Sequence, residues 1–344
     1  MRHESVCVFT ILVWTGGFHY LGYTTMKFLI VLVAVALAAN ALSDREQWDE
    51  FKLKHGKSYR NLAEETRRFA IFQDNLRVIE QHNAKYERGE TSFARGVNRF
   101  TDMTKEEIKK LLNRKPSPKT GNTMTAAMIN ATVADSLDWR AQGAVATVKD
   151  QGDCGSCWAF AAVGAMESAY YMKNGQLVQF SEQQLIDCTT SYGTVGCDGG
   201  FMQGGFEYAH DNGISTEDAY PYAAKDQSCQ STTVFLTISS FVQIEQNEDT
   251  IKSVVGTVGP VGVAIYADDI VSYSSGVYDN PSCPNSSEEL DHEVLLVGYG
   301  SENGQDYWLI KNSWGTNWGE SGYIKLARNS NMCGIAQDSA YPVL

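Results

Sequence analysis

Gln151-Gly-Asp-Cys154-Gly-Ser-Cys157-Trp158-Ala-Phe160 sets a cysteine between a Gly-rich turn and an apolar, helix-forming run. The run continues to Lys173 and meets Asn174-Gly175, a helix stop, so it reads as a buried central helix with Cys157 at its start. The positive end of a helix dipole favours an anion there. The thiolate is the form that attacks an amide carbonyl, which makes Cys157 a candidate nucleophile. Two downstream stretches supply partners. Leu290-Asp291-His292 offers a base, and Tyr307-Trp308-Leu-Ile-Lys-Asn312-Ser313-Trp314-Gly315 offers an amide to orient it.

Outward from this stretch, Ser181 is a capping residue ahead of Glu182–Asp187, and Met202–His210 is a further helical candidate. After about Ser239 the text changes to short β-prone runs: Val261–Tyr266, Val294–Tyr299 and Tyr323–Leu326. The fold class is therefore α+β, a helical lobe packed on a β lobe with a cleft between them.

The chain has 344 residues, 43% of them apolar, enough for a targeting segment, a pro-segment and a catalytic unit. Its net charge of −13 and lack of a basic stripe exclude a nucleic-acid partner. Met26-Lys27-Phe28 through Ala39-Asn40-Ala41 has the basic start, short apolar core and Ala-x-Ala end of a secretory signal. It is too short for a membrane anchor. Residues 1–41 are read as the signal region, with translation starting at Met26 and cleavage after Ala41. The protein is thus expected on the secretory route, in a lysosome or an extracellular space such as a digestive lumen.

Eight cysteines in an exported chain should mostly be paired. Without Cys7, seven remain, suiting three disulfides and one free thiol. Their pairing is open at this stage. A tetrahedral zinc site from Cys154, Cys157, Cys188 and Cys197 is the competing reading, and the export signal favours disulfides over it. No metal or cofactor is expected. Asn130-Ala-Thr132 and Asn285-Ser-Ser287 are glycosylation sequons.

From Asp44 to Leu112 the sequence is charged and helical in period. Glu64, Arg68, Phe72, Asn75, Ile79 and Asn83 recur at steps of three or four and share one helix face. Asn113 to Val133, rich in Pro, Ser and Thr, reads as an exposed linker open to proteolysis.

The Cys157, His292 and Asn312 segments together closely resemble the papain family of cysteine proteases, cathepsin L-like subgroup. The Glu64–Asn83 face and Gly96-x-Asn98-x-Phe100-x-Asp102 resemble the two motifs of its pro-segments. The resemblance covers the chain from about Asp44 to Leu344 and implies a papain-like two-lobed fold, with a β-barrel-like second lobe, preceded by a helical pro-segment. It implies a monomeric zymogen: an inhibitory propeptide over 42–132, lying in the cleft in reverse orientation to substrate, and a mature peptidase over 133–344. Activation cleavage is expected between Asn130 and Asp135. Family members often carry a proline just before the segment matching Ser136-Leu-Asp-Trp-Arg140, where this chain has Ala134.

The same resemblance implies catalysis by Cys157 and His292 as an ion pair poised before substrate arrives, with Asn312 orienting the imidazole and Trp314 shielding that bond. Gln151 matches the oxyanion-hole side chain. It further implies the disulfides Cys154–Cys197, Cys188–Cys229 and Cys283–Cys333. For substrate it implies backbone pairing along Gly199 and Gly200, an apolar wall of Phe201 and Met202, and further pocket positions at Ala264 and Leu290. Asp338 aligns with the pocket floor, Glu293 stands where relatives usually have Ala or Gly, and Asp291 adds a nearby carboxylate. Carboxylates at the end of an apolar pocket suit arginine or lysine, so basic residues are expected there beside bulky apolar ones. Glu293 is expected to raise the pKa of His292 or to crowd the cleft. No histidine-rich insert like the occluding loop of cathepsin B lies between Gly200 and Ala264, which favours an endopeptidase. The alternative is a weak or inactive peptide-binding pseudo-protease.

Overall fold

The computed structural model describes residues 43–118, 122–125 and 132–344. The signal region, the start at Met26 and the Asn130 sequon lie outside them. The chain divides into two compact units, Met1–Glu50 and Phe51–Leu344. In the first, the described residues open helix α1 (Asp44–Lys54), with Asp44 and Glu46 in its first turn.

In the second unit, helix α2 (Leu62–Glu87) starts at Asn61, whose side chain accepts from the Glu64 N–H. Strand β1 (Phe93–Arg95) and helix α3 (Lys105–Leu111) follow, α3 held by a capping box between Thr104 and Glu107. The shared α2 face is more than an apolar stripe. Phe72 and Ile79 are buried, while Arg68 donates to both Glu107 oxygens at 2.6 and 2.7 Å. Asn75 donates to the Thr101 and Met103 carbonyls, and Asn83 exchanges hydrogen bonds with the Arg95 backbone. These polar members tie α2 to the second motif, whose Asn98 amide reaches on to the Val271 carbonyl at 2.7 Å.

Strand β2 (Asn122–Met124) precedes the catalytic unit, which opens with β3 (Leu137–Asp138). Helix α4 (Cys157–Asn174) ends at Gly175 in the left-handed region, φ 70°, where glycine carries no Cβ penalty. Helices α5 (Glu182–Cys188) and α6 (Met202–Asp211) complete the helical lobe, around Trp158, Met166, Phe180, Leu185 and Phe206. The β lobe holds β4 (Ser240–Ile244), α7 (Glu248–Thr257), β5 (Val261–Ile265), β6 (Tyr273–Tyr278), β7 (His292–Glu302), β8 (Gln305–Lys311), β9 (Tyr323–Ala327) and β10 (Ser339–Val343). A second core gathers Val263, Ile265, Leu296, Trp308, Ile310 and Trp318.

The strands run β1-β6-β9-β8-β7-β5-β10-β4-β2, with β3 on β7. Residues ahead of the catalytic unit thus cover both edges of its sheet: β1 pairs antiparallel with β6, and β2 parallel with β4. This corrects the linker reading at 122–124, where backbone pairing, which composition does not encode, fixes the chain. Among the described residues no helix is long and apolar enough to cross a membrane.

Candidate active site

Cys157 is the first residue of α4 and His292 the first of β7, so the two lobes meet at these side chains. Asn312 follows β8, and the chain beyond it returns to the helical lobe, where Asp150 bridges Trp314 and the Gln151 N–H donates to the Ser313 carbonyl at 2.8 Å. Both Cys157 and His292 are fully buried, and Cys157 is a free thiol.

Asn312 Oδ1 accepts the Ser313 N–H at 2.8 Å, which fixes the amide's orientation. The same oxygen lies 2.8 Å from His292 Nε2. An oxygen can only accept, so Nε2 carries the proton and Nδ1 keeps its lone pair. Nδ1 is buried without a hydrogen-bond partner among the described residues. The Trp314 ring stacks on the imidazole at 4.7 Å and 28°. Ser313, which the sequence reading passed over, also orients Gln151: its hydroxyl donates to Gln151 Oε1 at 2.6 Å. Gln151 Nε2 then donates to the Cys154 carbonyl at 2.9 Å and faces the Leu111 carbonyl at 3.4 Å. That carbonyl ends α3, so the segment ahead of the catalytic unit puts a carbonyl beside the very amide expected to bind an oxyanion.

Burial dominates the electrostatics of the Cys157 and His292 pair. Burial pushes the Cys157 thiol up to about 12, helped by the charge of Glu293 and opposed by backbone N–H groups of Glu293 and Trp158. Burial also pulls His292 down to about 4 against the Asn312 hydrogen bond. Both directions favour the neutral thiol and the neutral imidazole while the pair is buried.

Three residues past Leu111, Arg114 enters the neighbouring pocket with its side chain only 4% exposed. Its Nε donates to Glu293 Oε1 at 3.0 Å, and its Nη2 pairs with Asp338 Oδ2. Ser117 donates to the same Asp338 oxygen at 2.5 Å and Gln203 to the other at 2.8 Å. Burial works against the guanidinium charge, but the two carboxylates outweigh it and hold Arg114 above its ordinary value. Burial also pushes Glu293 up to about 8, while Arg114 pulls it back. Its second oxygen accepts the Met202 N–H at 2.8 Å, at the start of α6. The Glu293 carboxylate therefore points into the pocket, and its charge acts on Cys157 rather than on His292, against the expectation that it would raise the imidazole pKa.

Asp291 meets the same segment through its backbone: its carbonyl accepts the Arg114 N–H, while its carboxylate accepts the Ala267 N–H at 2.7 Å and is pushed by burial up to about 7. Lys115 N–H donates to the Gly200 carbonyl at 2.8 Å, and Asn113 Nδ2 to the Asp198 carbonyl. At Gly199, φ 105°, an added Cβ would fall on the Asn113 carbonyl oxygen, so close backbone approach requires glycine. Ala264 N–H donates to the Asp338 carbonyl at 2.8 Å, and Leu290 shares a cavity lining with Arg114 and Asp338. Met202 lies against Gly262, while the Phe201 ring lies against Gly193 and Gly204 of the helical lobe. The linker reading thus also fails at 113–117: Arg114 and Ser117 are seated in the pocket, and nothing in their local composition signals it.

The disulfides are Cys154–Cys197, Cys188–Cys229 and Cys283–Cys333, with S–S distances of 2.06, 2.09 and 2.07 Å. They divide the four thiols of the zinc reading between two bridges and one free cysteine. Asn285 is exposed.

Comparison with known proteins bears on the whole arrangement. Residues 133–343 match the model of the papain family of cysteine proteases, and residues 48–108 that of the cathepsin propeptide inhibitor domain. Digestive cysteine proteinase 1 of Homarus americanus is 48% identical over 92% of this chain and 98% of its own length. The cathepsin L-like proteinase of Phaedon cochleariae is 42% identical over 93% of this chain and all of its own. The solved digestive procathepsin L 3 of the Tenebrio molitor larval midgut superposes with a TM-score of 0.82, at 45% identity, covering 88% of this chain and 100% of that one. The chain belongs to the papain family of cysteine proteases, as a cathepsin L-like enzyme with a cathepsin propeptide inhibitor domain ahead of the peptidase.

Proposed function

We propose that this protein is a cysteine endopeptidase made as a zymogen, which cleaves peptide bonds preceded at the second position by a basic or a bulky apolar residue. The observation that carries the specificity is Arg114, seated between Glu293 and Asp338. A pocket that holds the pro-segment's own arginine by two carboxylates offers the same charge-assisted contacts to a substrate's arginine or lysine.

Once the pro-segment leaves, water and substrate reach the covered pair. The Cys157 proton moves to His292 Nδ1, giving thiolate and imidazolium. The thiolate adds to the substrate carbonyl, and the oxyanion is met by Gln151 Nε2 and the Cys157 backbone N–H. His292 gives its proton to the leaving nitrogen as the C–N bond breaks and a thioester forms. Water then attacks, its proton passes to His292, and the C–S bond breaks to restore the pair. Asn312 keeps the ring in place throughout, and Trp314 covers their bond.

The reading divides the chain into a signal over 1–41, a propeptide over 42–132 and a monomeric mature enzyme over 133–344, with Asn285 a glycosylation acceptor. Relatives named as digestive proteinases of Homarus americanus and procathepsin L of Mus musculus support a destination in a digestive lumen or lysosome. The test is turnover by the acid-activated, reduced enzyme on matched peptides carrying Phe or Arg second before the scissile bond. Wild type cleaves both and Cys157→Ala neither; cleavage surviving in Cys157→Ala contradicts the thiol mechanism.

A further inference from the structure

In the covered enzyme the chain does not leave the surface at the arginine pocket. Eight positions past Arg114, residues 122–124 add a strand to the sheet edge, in register Asn122↔Val242, Thr123↔Gln243 and Met124↔Ile244. The Glu245 N–H donates to the Met124 carbonyl at 2.9 Å, and the Gln243 side-chain amide to the Pro118 carbonyl at 3.3 Å. A cavity of about 700 Å³ links the two places, lined by Arg114, Ser117 and Asp338 and by Thr123, Ile244 and Gln246. On its other side β4 is paired with β10, so this is the last strand the catalytic unit itself supplies. The peptidase match begins at residue 133. Departure of the residues before it therefore strips β4 of its outer partner and leaves backbone N–H and C=O groups facing water, a ready template for another strand.

We propose that the mature enzyme takes the N-terminal flank of an extended protein substrate as an added strand on β4, the edge that residues 122–124 cover in the zymogen. The inference rests on the endopeptidase reading, because the order Leu111 at Gln151, Arg114 in the pocket, then 122–124 on β4 leads away from the scissile bond on its N-terminal side. The zymogen's own chain covers the interval from Arg114 to Asn122 in eight residues, so an extended substrate reaching about ten residues beyond the pocket is long enough to meet the edge. Either strand direction can pair, antiparallel being the more stable per residue. The occupant is an unfolded or loop segment of a protein, of β-prone sequence and free of proline, recognised through its backbone.

The experiment uses mature enzyme and three peptides identical from the residue third before the scissile bond onward, with Leu at the second position to keep the carboxylates out of the comparison. One stops there, one carries a ten-residue β-prone extension, and the third carries the same extension with alternate backbone nitrogens methylated. The extension is expected to raise kcat/KM about tenfold through KM, the scale of a few net backbone hydrogen bonds less their ordering cost, and methylation to remove the gain. Equal kcat/KM for long and short peptides overturns the proposal, as does a gain that survives methylation, which would belong to side chains. Turnover of the short peptide reports the endopeptidase reading by itself, and the ratio of long to short reports the edge.

Discussion

The reactive centre and the neighbouring pocket are covered by Leu111 and Arg114, three residues apart, yet only the second receives a charged partner. At the first, Leu111 brings a backbone carbonyl and no charge, and burial drives Cys157 and His292 to their neutral forms. At the second, Arg114 brings a cation that keeps its charge between Glu293 and Asp338, although burial still pushes Glu293 up to about 8 against its pull. On the proposed reading, the segment ahead of the peptidase silences the chemistry by keeping water away and secures itself by offering the pocket what a basic substrate would offer. Desolvation disfavours charge at both places, and a buried partner offsets part of that cost while holding the contact in place.

The largest consequence lies at the reactive centre. Alkylation of Cys157 by iodoacetamide at pH 7 should be at least about 1,000-fold slower in the intact zymogen than in the mature enzyme, since a thiol held near 12 contributes almost no thiolate. Similar rates would show that the covered pair is charged, and the contrast between the two sites would vanish. The lock comes next. Arg114→Ala leaves two carboxylates in a closed pocket without their cation, a loss of about 3 kcal/mol or more. The zymogen should then hold its pro-segment about 100-fold more weakly and show activity at neutral pH without acid treatment. An unchanged lag before activation would reduce Arg114 to a filler.

The comparison sharpens further with pH. His292 is held at about 4 in the covered site and takes a proton near its ordinary value of 6.5 when unfolded. The folded zymogen therefore binds fewer protons between those values. The associated stability is present above pH 6.5 and is lost as pH falls towards 4, by up to about 3 kcal/mol. In a Cys157→Ala background, the unfolding free energy of the His292-bearing zymogen should fall more over this window than that of His292→Gln. Parallel curves would mean that His292 already carries a proton under the pro-segment. The same sign gives acid a direct way to loosen the cover.

Much of this was legible in sequence because it is local. The run from Cys157 to the Asn174-Gly175 stop, the Ser181 cap and the three β-prone runs named after Ser239 became α4, α5, β5, β7 and β9, within one to three residues of their expected ends, while the other strands of the β lobe were not read from sequence. The α2 face was legible as a period, but the reason for its polar members was not: Arg68, Asn75 and Asn83 bind partners more than ten residues away. Asp338 and Glu293 were legible as carboxylates near a pocket, whereas their cation was not, because Arg114 stands in a stretch whose Pro and Ser content reads as linker. Asp291 was legible by its place beside His292, but the Ala267 N–H that its carboxylate accepts comes from a separate part of the chain and was not. Ser313 could have been found, since it lies between two residues already singled out and carries a hydroxyl able to reach the Gln151 amide.

The central claim, that the pocket is built for a cation, is tested most directly by the ratio of kcat/KM for Arg to that for Phe second before the scissile bond, in mature wild type and in Asp338→Ala. Losing one of two carboxylates should lower that ratio about tenfold while leaving cleavage after Phe within about twofold, as expected for one charge-assisted hydrogen bond. A ratio unchanged by Asp338→Ala would contradict the account and leave Arg114 as a device of the zymogen alone.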